Sequence, residues 1–248
     1  MKKMNFKEVI KKLNQIENEI FNLAYTVVDG AIDNEKFLNN KLRITWFLKE
    51  PYSDEEHSWK YRDVFTLTDE NIKNDEDLYD VWFKDVARNT WQPIIYVSYG
   101  ILNSFKTWSE MSYIRENRDM CDVIQEISII NSNKNFSETG TFSLQENIKT
   151  GFDKFENIIK QQIELLNPNV LIFGNTFNEY YKKLLKIEEK HKVKELSKSD
   201  IINVYFKEGK IFLDVWHPSQ RGKASREEYV NSIINSVKEF ENKLNFIS

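Results

Sequence analysis

The feature that most constrains this chain is a set of short apolar runs that lack polar alternation. A strand with one face in water alternates apolar and polar residues, whereas a strand of a parallel sheet covered by helices is apolar on both faces. The runs therefore predict the buried central strands of an α/β fold. They are rich in β-branched residues and comprise Ile44 to Leu48, Ile127 to Ile130, Val170 to Phe173 and Ile211 to Val215.

Three amphipathic helices can be predicted beside these strands. The first covers about residues 5–24, and the second runs from near Leu144 to the stop at Asn167-Pro168; both carry apolar residues at steps of three and four. The third begins at Ser225, whose hydroxyl can cap the helix while Glu228 reaches back in a capping box. Helices of this kind would cover the two faces of the sheet.

Two further segments complete the expected architecture. Val204 to Phe206 is followed by a short turn and by the last apolar run, which predicts a hairpin. Residues 53–122 form a long insertion after the first strand, rich in Asp, Asn, Trp and Tyr, with helical pieces predicted around residues 77–90 and 94–108. Because no repeat or linker occurs, we expect a single domain over residues 1–248.

Charge and cysteine content exclude several classes of protein. The 35 Lys and Arg against 39 Asp and Glu give a formal charge of −4, which argues against indiscriminate coating of nucleic acid. A single cysteine, Cys121, cannot form an internal disulfide or a four-thiolate metal site. The sequence has no uninterrupted apolar stretch of 18 residues, so we expect a cytoplasmic protein with no membrane partner.

Polar residues collect directly after each apolar run. In an open parallel sheet, ligands bind outside the carboxyl ends of the strands. Any one of these ends is commonly structural, because turns need Asn, Gly and Pro. Together they offer a carboxylate that can act as a base, a carboxamide that can recognise a ligand by two hydrogen bonds, and an imidazole that can donate a hydrogen bond. The segments are Lys49-Glu50-Pro51-Tyr52, Asn131-Ser132-Asn133, Gly174-Asn175-Thr176 and Trp216-His217-Pro218-Ser219.

These strand ends resemble the motifs of the uracil-DNA glycosylase superfamily, in family order from about residue 42 to 240. Phe47 to Tyr52 resembles the first motif, a buried strand followed by Gly-Gln-Asp-Pro-Tyr. Ile129-Ile130-Asn131 resembles the strand that ends in the base-reading Asn, and Asn169 to Gly174 resembles the next core strand. His217-Pro218-Ser219 matches the second catalytic motif, His-Pro-Ser-Pro. The resemblance implies a three-layer α/β/α fold with a short, mainly parallel central sheet.

The resemblance also implies roles for individual residues. Glu50 would activate water and His217 would stabilise the leaving base, while Asn131 would read the base edge. Tyr52 would pack at the C5 edge of the base and exclude a thymine methyl group. The remaining substrate-binding residues would be Pro51, Gly174, Asn175, Pro218 and Ser219.

Two more groups of residues are candidates for contacts with DNA. A flipped base is held by the face of an aromatic ring, for which Trp59, Tyr61 and Phe65 are unranked candidates. Polar and basic residues follow His217 and precede the amino end of the last helix, a phosphate-binding feature. These candidates for nucleic-acid binding are Gln220, Arg221, Lys223 and Arg226.

The sequence departs from the family pattern at several positions. Leu48 stands in place of Gly, Glu50 in place of the catalytic Asp, and Ser53 in place of the His that follows Tyr. After the second motif the family often carries an apolar residue that fills the gap left in the DNA by the flipped base. This chain has Gln220-Arg221-Gly222-Lys223 at that place. Gln220 or Arg221 is the candidate for a polar residue that fills this gap.

The expected function is hydrolysis of an N-glycosidic bond in DNA, single-stranded DNA included, to remove uracil or a related damaged base. We expect no metal and no other cofactor. Two alternatives stay open at this stage. One is a non-catalytic protein that binds nucleic acid or a nucleotide with a degenerate glycosylase fold, and the other is an enzyme that acts on a free nucleoside or nucleotide.

Overall fold

A computed structural model describes residues 4–53, 55–65, 88–137, 143–197, 200–220 and 222–244. Its core is a six-stranded sheet with the strand order β2-β5-β3-β6-β8-β7. A separate parallel pair is formed by β1 and β4. The strands are β1 Val27–Val28, β2 Gly30–Ala31, β3 Ile44–Leu48, β4 Trp59–Lys60, β5 Ser128–Asn131, β6 Val170–Gly174, β7 Ile202–Lys207 and β8 Lys210–Val215.

The four central strands β5, β3, β6 and β8 run parallel, and the outer strands β2 and β7 are antiparallel to their neighbours. These central strands coincide with the four apolar runs, within one residue at each end. Their residues are buried on both faces in β3, β5 and β6. The predictions of a mainly parallel sheet and of the β7-β8 hairpin are therefore confirmed.

Helices pack on both faces of this sheet, an arrangement compatible with a three-layer α/β/α fold. On β3, Trp46 and Leu48 join the core that includes helices α4 and α6, whereas Phe47 joins the core that includes α1 and α5. The α-helices of five residues or more in the described part of the chain are α1 Phe6–Phe21, α2 Asn34–Asn39, α3 Tyr61–Phe65, α4 Arg88–Leu102, α5 Gln145–Leu166 and α6 Arg226–Lys238.

The predicted helix ends agree with the local capping chemistry. The Ser225 side chain accepts from the main-chain N–H of Glu228, and the Glu228 side chain accepts from that of Ser225, which completes the predicted capping box. Asn167 ends α5 in the left-handed conformation with φ 45°. In helix α1, Asn5 and Glu8 form a further capping box.

The insertion is only partly described. The predicted piece around residues 77–90 lies mostly outside the described residues. The piece predicted at 94–108 belongs to α4, which begins earlier and ends at Leu102. The prediction was too long because Ser104 and Phe105 take positive φ values of 64° and 59° and turn the chain out of the helix.

The strand order places a topological switch point between β3 and β6. From β3 the chain proceeds to β5 on one side, and from β6 it proceeds to β8 on the other side. Loops that leave two adjacent strands in opposite directions open a crevice at their carboxyl ends, where ligands bind in α/β folds. Among the residues that the structure describes, no helix has both the length and the apolar composition of a membrane span.

Candidate active site

Main-chain hydrogen bonds join the loops that follow β3 and β5. The N–H and the hydroxyl of Ser132 donate to the carbonyl of Leu48 at 2.8 and 2.9 Å, and the N–H of Asn133 donates to the carbonyl of Lys49 at 2.8 Å. Further along, the N–H of Ser137 donates to the carbonyl of Pro51 at 2.9 Å. The two loops therefore extend the sheet beyond its carboxyl edge and fix the main chain on both sides of Glu50.

The Glu50 carboxylate is half-buried in this extension. Burial raises its pKa above the ordinary value of 4.5, and hydrogen bonds from the Ser143 and Asn133 side chains and the charge of Lys49 oppose that shift. A carboxylate with a raised pKa is a stronger base toward water than an exposed one. The Ser143 and Asn133 side chains thus lie beside the Glu50 carboxylate, whose raised pKa would suit a group that accepts a proton from water.

A glycine on helix α5 makes room for Asn133. A Cβ atom on Gly151 would lie 2.1 Å from Cγ of Asn133 and 2.2 Å from its Oδ1. The Oδ1 atom also accepts from the N–H of Asn135 at 3.1 Å, so the Asn133 side chain has a defined position between helix and loop. Gly151 therefore contributes indirectly to the placement of Glu50.

The end of β3 and the loop after β8 both lie against Gly174, the last residue of β6. A Cβ atom at Gly174 would lie 3.1 Å from Cδ2 of Leu48, 3.1 Å from Cδ of Pro218 and 3.6 Å from Cα of His217. The absence of a side chain at Gly174 thus lets Leu48 and Pro218 pack closely against the end of the intervening strand. The geometry brings His217 to the same edge as Lys49 and Glu50, at the switch point.

The His217 imidazole is neutral with a defined tautomer. Its Nδ1 accepts from the main-chain N–H of Ser219 at 3.3 Å and lies 2.8 Å from the Ser219 hydroxyl. With Nδ1 as acceptor, the proton of a neutral ring is on Nε2. Burial, and after it the charge of Lys49, lowers the pKa of His217 from 6.5 to about 4. Nε2–H has no acceptor among the described residues, so it is available to donate to a ligand.

Replacing Lys49 with methionine is expected to raise the pKa of His217 above 4 without restoring 6.5. The substitution removes the charge that disfavours the imidazolium, while the larger effect of burial remains. The measurement is an NMR titration of the imidazole signals, which single substitutions can assign because the chain has three histidines. Lys12→Met, on the exposed side of α1, is the matched control. An unchanged His217 titration in Lys49→Met would contradict the assigned electrostatic contact.

The low pKa of His217 also sets a direction for stability. Between pH 6.5 and about 4 the unfolded chain binds a proton at this residue that the folded protein does not bind. The free energy of unfolding therefore falls as the pH is lowered from 6.5 toward 4, because the unfolded chain gains the proton at His217 first. Above pH 6.5 the full stability is retained.

Asn131 ends β5 with its side chain closed off from solvent. It is 1% exposed, and its Nδ2 donates to the Tyr61 hydroxyl at 3.3 Å. Its Oδ1 is buried and has no hydrogen-bond partner among the residues that the structure describes. An orphaned buried acceptor is uncommon in proteins and calls for an explanation.

A buried ion pair beside Asn131 was not predicted from the sequence. Lys134 Nζ lies 2.7 and 2.9 Å from the carboxylate oxygens of Asp29, and both side chains are completely buried. The carboxylate also accepts from the main-chain N–H of Asn131 at 2.6 Å and from Gln162 Nε2 at 3.0 Å. Lys134 lies in the polar segment after β5, but nothing in the sequence marks Asp29, which precedes Gly30 between two very short strands.

The other predicted substrate-binding residues differ in their surroundings. Pro51 and Pro218 are buried, and Ser219 contacts the imidazole of His217. Asn175 is exposed with a left-handed φ of 59°. Tyr52 is 56% exposed and bridges to Ser137 through its main chain, so its ring is at the surface of the site.

The residues predicted to contact DNA have partners within the protein. Gln220 accepts from the N–H of Lys223 at 3.0 Å and donates to the carbonyl of Ala224 at 3.1 Å, so its side chain closes its own loop. The Lys223 ammonium lies 4.9 Å from the ring centroid of Trp216. Arg226 donates to Gln92 on α4. Arg221 lies outside the described residues.

The three candidate stacking aromatics belong to one cluster. The Tyr61 ring lies 5.4 Å from Trp59 and 5.6 Å from Phe65, and all three pack in the core that contains Trp91. Tyr61 is distinguished from the other two because its hydroxyl contacts Asn131. The structure thus brings one of these aromatics to the carboxamide, through its hydroxyl.

Within the described ranges, His, Cys, Asp and Glu side chains form no group of three or more that could hold a metal ion. A scan of the sequence against models of known protein families finds no match, and a search of curated proteins also finds none.

Proposed function

We propose that the protein is a hydrolase of the uracil-DNA glycosylase type, which cleaves the N-glycosidic bond of uracil or a related base in DNA. The observation that carries the proposal is that the end of β3, which leads into Lys49 and Glu50, and the start of the loop that carries His217 lie against Gly174 at the switch point of the sheet. One group can accept a proton from water and the other can donate a hydrogen bond from Nε2. The motif resemblance and the α/β architecture support the same family.

The reaction needs two charges to be stabilised. Cleavage of the bond leaves an oxocarbenium-like sugar and an anionic base, so the site must favour both at once. The Glu50 carboxylate would accept a proton from the attacking water and offset the positive sugar. His217 would donate Nε2–H to a carbonyl oxygen of the departing base. Because the pKa of the His217 imidazolium is low, the ring is neutral, and a neutral Nε2–H stabilises that oxygen without transferring a proton to it.

The departures from the family pattern affect this site in different ways. Glu50 is one methylene longer than Asp, and the Ser143 and Asn133 side chains lie beside its carboxylate. Leu48 is 4% exposed and packs toward Gly174 and Pro218, which narrows the crevice at the end of β6. A narrow crevice favours a single flipped nucleotide and single-stranded DNA over a duplex, because unpaired bases cost less to expose.

The test is excision of uracil from single-stranded DNA, read as strand breaks at abasic sites after alkali treatment. We expect His217→Ala to lower the rate about 10²- to 10³-fold through loss of a donor. Glu50→Gln is expected to lower it about 10²- to 10⁴-fold through loss of the base. Asn131→Ala is expected to lose most of the activity, because the variant lacks the carboxamide that would form hydrogen bonds with the edge of the base.

His191→Ala provides the matched control, since His191 caps a surface turn by accepting from the N–H of Glu188. Wild-type rates in the His217→Ala and Asn131→Ala double variant would remove the site assignment. Salt-sensitive binding of DNA with no abasic product would support the alternative of a binding protein. Cleavage of free deoxyuridine alone would support the alternative of a nucleoside enzyme.

A further inference from the structure

A short π-helix, Phe177–Tyr181, follows the switch point at the end of β6. A π-helical turn is rare in proteins and is found frequently at functional sites. The residue before it, Thr176, donates its hydroxyl to the carbonyl of Phe47 on β3 at 3.1 Å. At its other end Tyr181 is completely buried, with its hydroxyl 3.4 Å from that of Ser132 in the loop after β5. The turn is therefore tied to the ends of two adjacent strands.

Within this turn, the Tyr180 ring lies beside the residues that surround Glu50. Its centroid is 5.1 Å from that of Phe152, which follows Gly151 on helix α5. Asn133 packs against Gly151, and its side chain lies beside the Glu50 carboxylate. The phenol and the carboxylate are therefore both placed near the same turn of α5.

The Tyr180 hydroxyl is available to a ligand. The residue is 8% exposed, yet its hydroxyl has no hydrogen-bond partner among the residues that the structure describes. Burial, and after it the charges of Glu179, Asp153 and Glu50, raise the pKa of Tyr180. The phenol therefore keeps its proton at neutral pH, and a neutral hydroxyl can both donate and accept. A ring packed inside the protein thus presents an unused hydroxyl near a carboxylate.

A water molecule that attacks the sugar needs more than one partner to hold its orientation. In the proposed reaction it gives one hydrogen to Glu50 and turns a lone pair toward C1′ of the sugar. Its second hydrogen then needs an acceptor on the protein. The Ser53 hydroxyl is not suited to this role, because it already accepts from Trp59 Nε1 at 2.9 Å and from the N–H of Glu55 at 3.1 Å.

We propose that Tyr180 is a further catalytic residue, whose hydroxyl oxygen accepts the second hydrogen of the attacking water. The inference rests on the proposed function and deepens it. In this step the water oxygen bonds to C1′ while the bond from C1′ to the base nitrogen breaks, and the electron pair of that bond leaves with the base. One hydrogen of the water goes to Glu50, and the other stays on the new sugar hydroxyl, bonded to Tyr180.

Methanol is a nucleophile that separates this role from a structural one. It has a single hydroxyl hydrogen, which Glu50 would take, so it has none to donate to Tyr180. The wild-type site should therefore favour water over methanol by one hydrogen bond, and this advantage should be lost in Tyr180→Phe. The two products differ in mass, because water leaves an abasic sugar and methanol leaves its O-methyl glycoside.

The test is excision of uracil from single-stranded DNA in water with added methanol, with both products measured by mass spectrometry. We expect Tyr180→Phe to lower the formation of the abasic product about 3- to 10-fold, the effect of one hydrogen bond. The ratio of methyl glycoside to abasic product should rise by the same factor, because only the attack by water loses a bond. This ratio does not depend on the amount of folded protein.

Tyr205→Phe provides the matched control. The Tyr205 ring packs against Phe177 of the same π-helix, with 5.0 Å between centroids, but its hydroxyl lies beside Lys182. The substitution removes the same atom from a buried ring without changing the surroundings of Glu50. We therefore expect the wild-type product ratio in this variant.

The outcomes separate the inference from the proposed function. A shifted ratio confined to Tyr180→Phe supports the inference. An unchanged ratio in Tyr180→Phe overturns it even when excision is slower, and the proposed function still stands. An equal shift in Tyr205→Phe also overturns it, because the effect would then belong to packing around the π-helix. Wild-type protein that forms neither product overturns the proposed function and the inference together.

Discussion

Lys134→Met is expected to lower the free energy of unfolding by about 3–5 kcal/mol, because it leaves the Asp29 carboxylate buried without its counter-charge. Both side chains of this pair are completely buried, and the ammonium contacts both oxygens of the carboxylate. The carboxylate keeps its bonds from Asn131 and Gln162, but neutral donors compensate a buried charge less well than an ammonium does. The measurement is urea unfolding at neutral pH.

A surface pair of the same type provides the control. Lys190 and Glu188 are 2.9 Å apart, with side chains 67% and 61% exposed. Lys190→Met should therefore leave the free energy of unfolding almost unchanged. Replacing both members of the buried pair, as Asp29→Leu with Lys134→Met, should recover part of the loss, because no uncompensated charge remains. Equal effects of Lys134→Met and Lys190→Met would show that the buried pair has no special importance for the fold.

The second large effect is expected for Gly151→Ala on helix α5. Alanine favours a helix over glycine by about 1 kcal/mol, so an exposed position would gain stability. Here the new Cβ would lie 2.1 Å from Cγ of Asn133, and overpacking of this kind costs about 1–3 kcal/mol. Loss of the Asn133 hydrogen bonds adds about 1 kcal/mol. The net expectation is destabilisation by about 2 kcal/mol.

The same substitution is expected to change Glu50 through Asn133. The hydrogen bond from the Asn133 side chain lowers the pKa of Glu50, so its displacement should raise that pKa further above 4.5. Carbon-13 NMR of the labelled carboxyl group measures this shift directly. Thr150→Ala, at the adjacent exposed position of α5, should keep the wild-type titration and gain a few tenths of a kcal/mol. A stabilised Gly151→Ala protein would show that Asn133 can move away freely.

The parts of the fold that could be predicted are those with a local cause. The runs at β3, β5, β6 and β8 owe their burial to composition within four or five residues, and Ser225 and Glu228 form their capping box across three residues. The helix predicted to end at residue 108 ends earlier for a local reason as well, the positive φ of Ser104 and Phe105. These residue types do not predict such a conformation. Neither is a glycine or an asparagine, the residues that usually mark such a conformation.

The candidate site was predictable only where it follows strand ends. Glu50, Asn131, Gly174 and His217 could be named as candidates because parallel strands place their carboxyl ends at one edge of the sheet. The residues that orient them are distant in sequence: Lys134 meets Asp29 across 105 residues, and Tyr61 meets Asn131 across 70. Pairings at such separation depend on the assembled fold, and neither hydrophobic periodicity nor turn chemistry encodes them.

The hydrogen bonds between the loops after β3 and β5 have a consequence for how this edge can change. They join main-chain atoms of Leu48, Lys49 and Pro51 to the opposite loop, so most of them are indifferent to the side chains at those positions. Residues at the edge can therefore be exchanged while the course of both loops is kept. A substitution such as Glu50→Asp would then alter the acidity and the reach of the carboxylate while the main chain stays unchanged, so the chemistry of this edge can vary more readily than its shape.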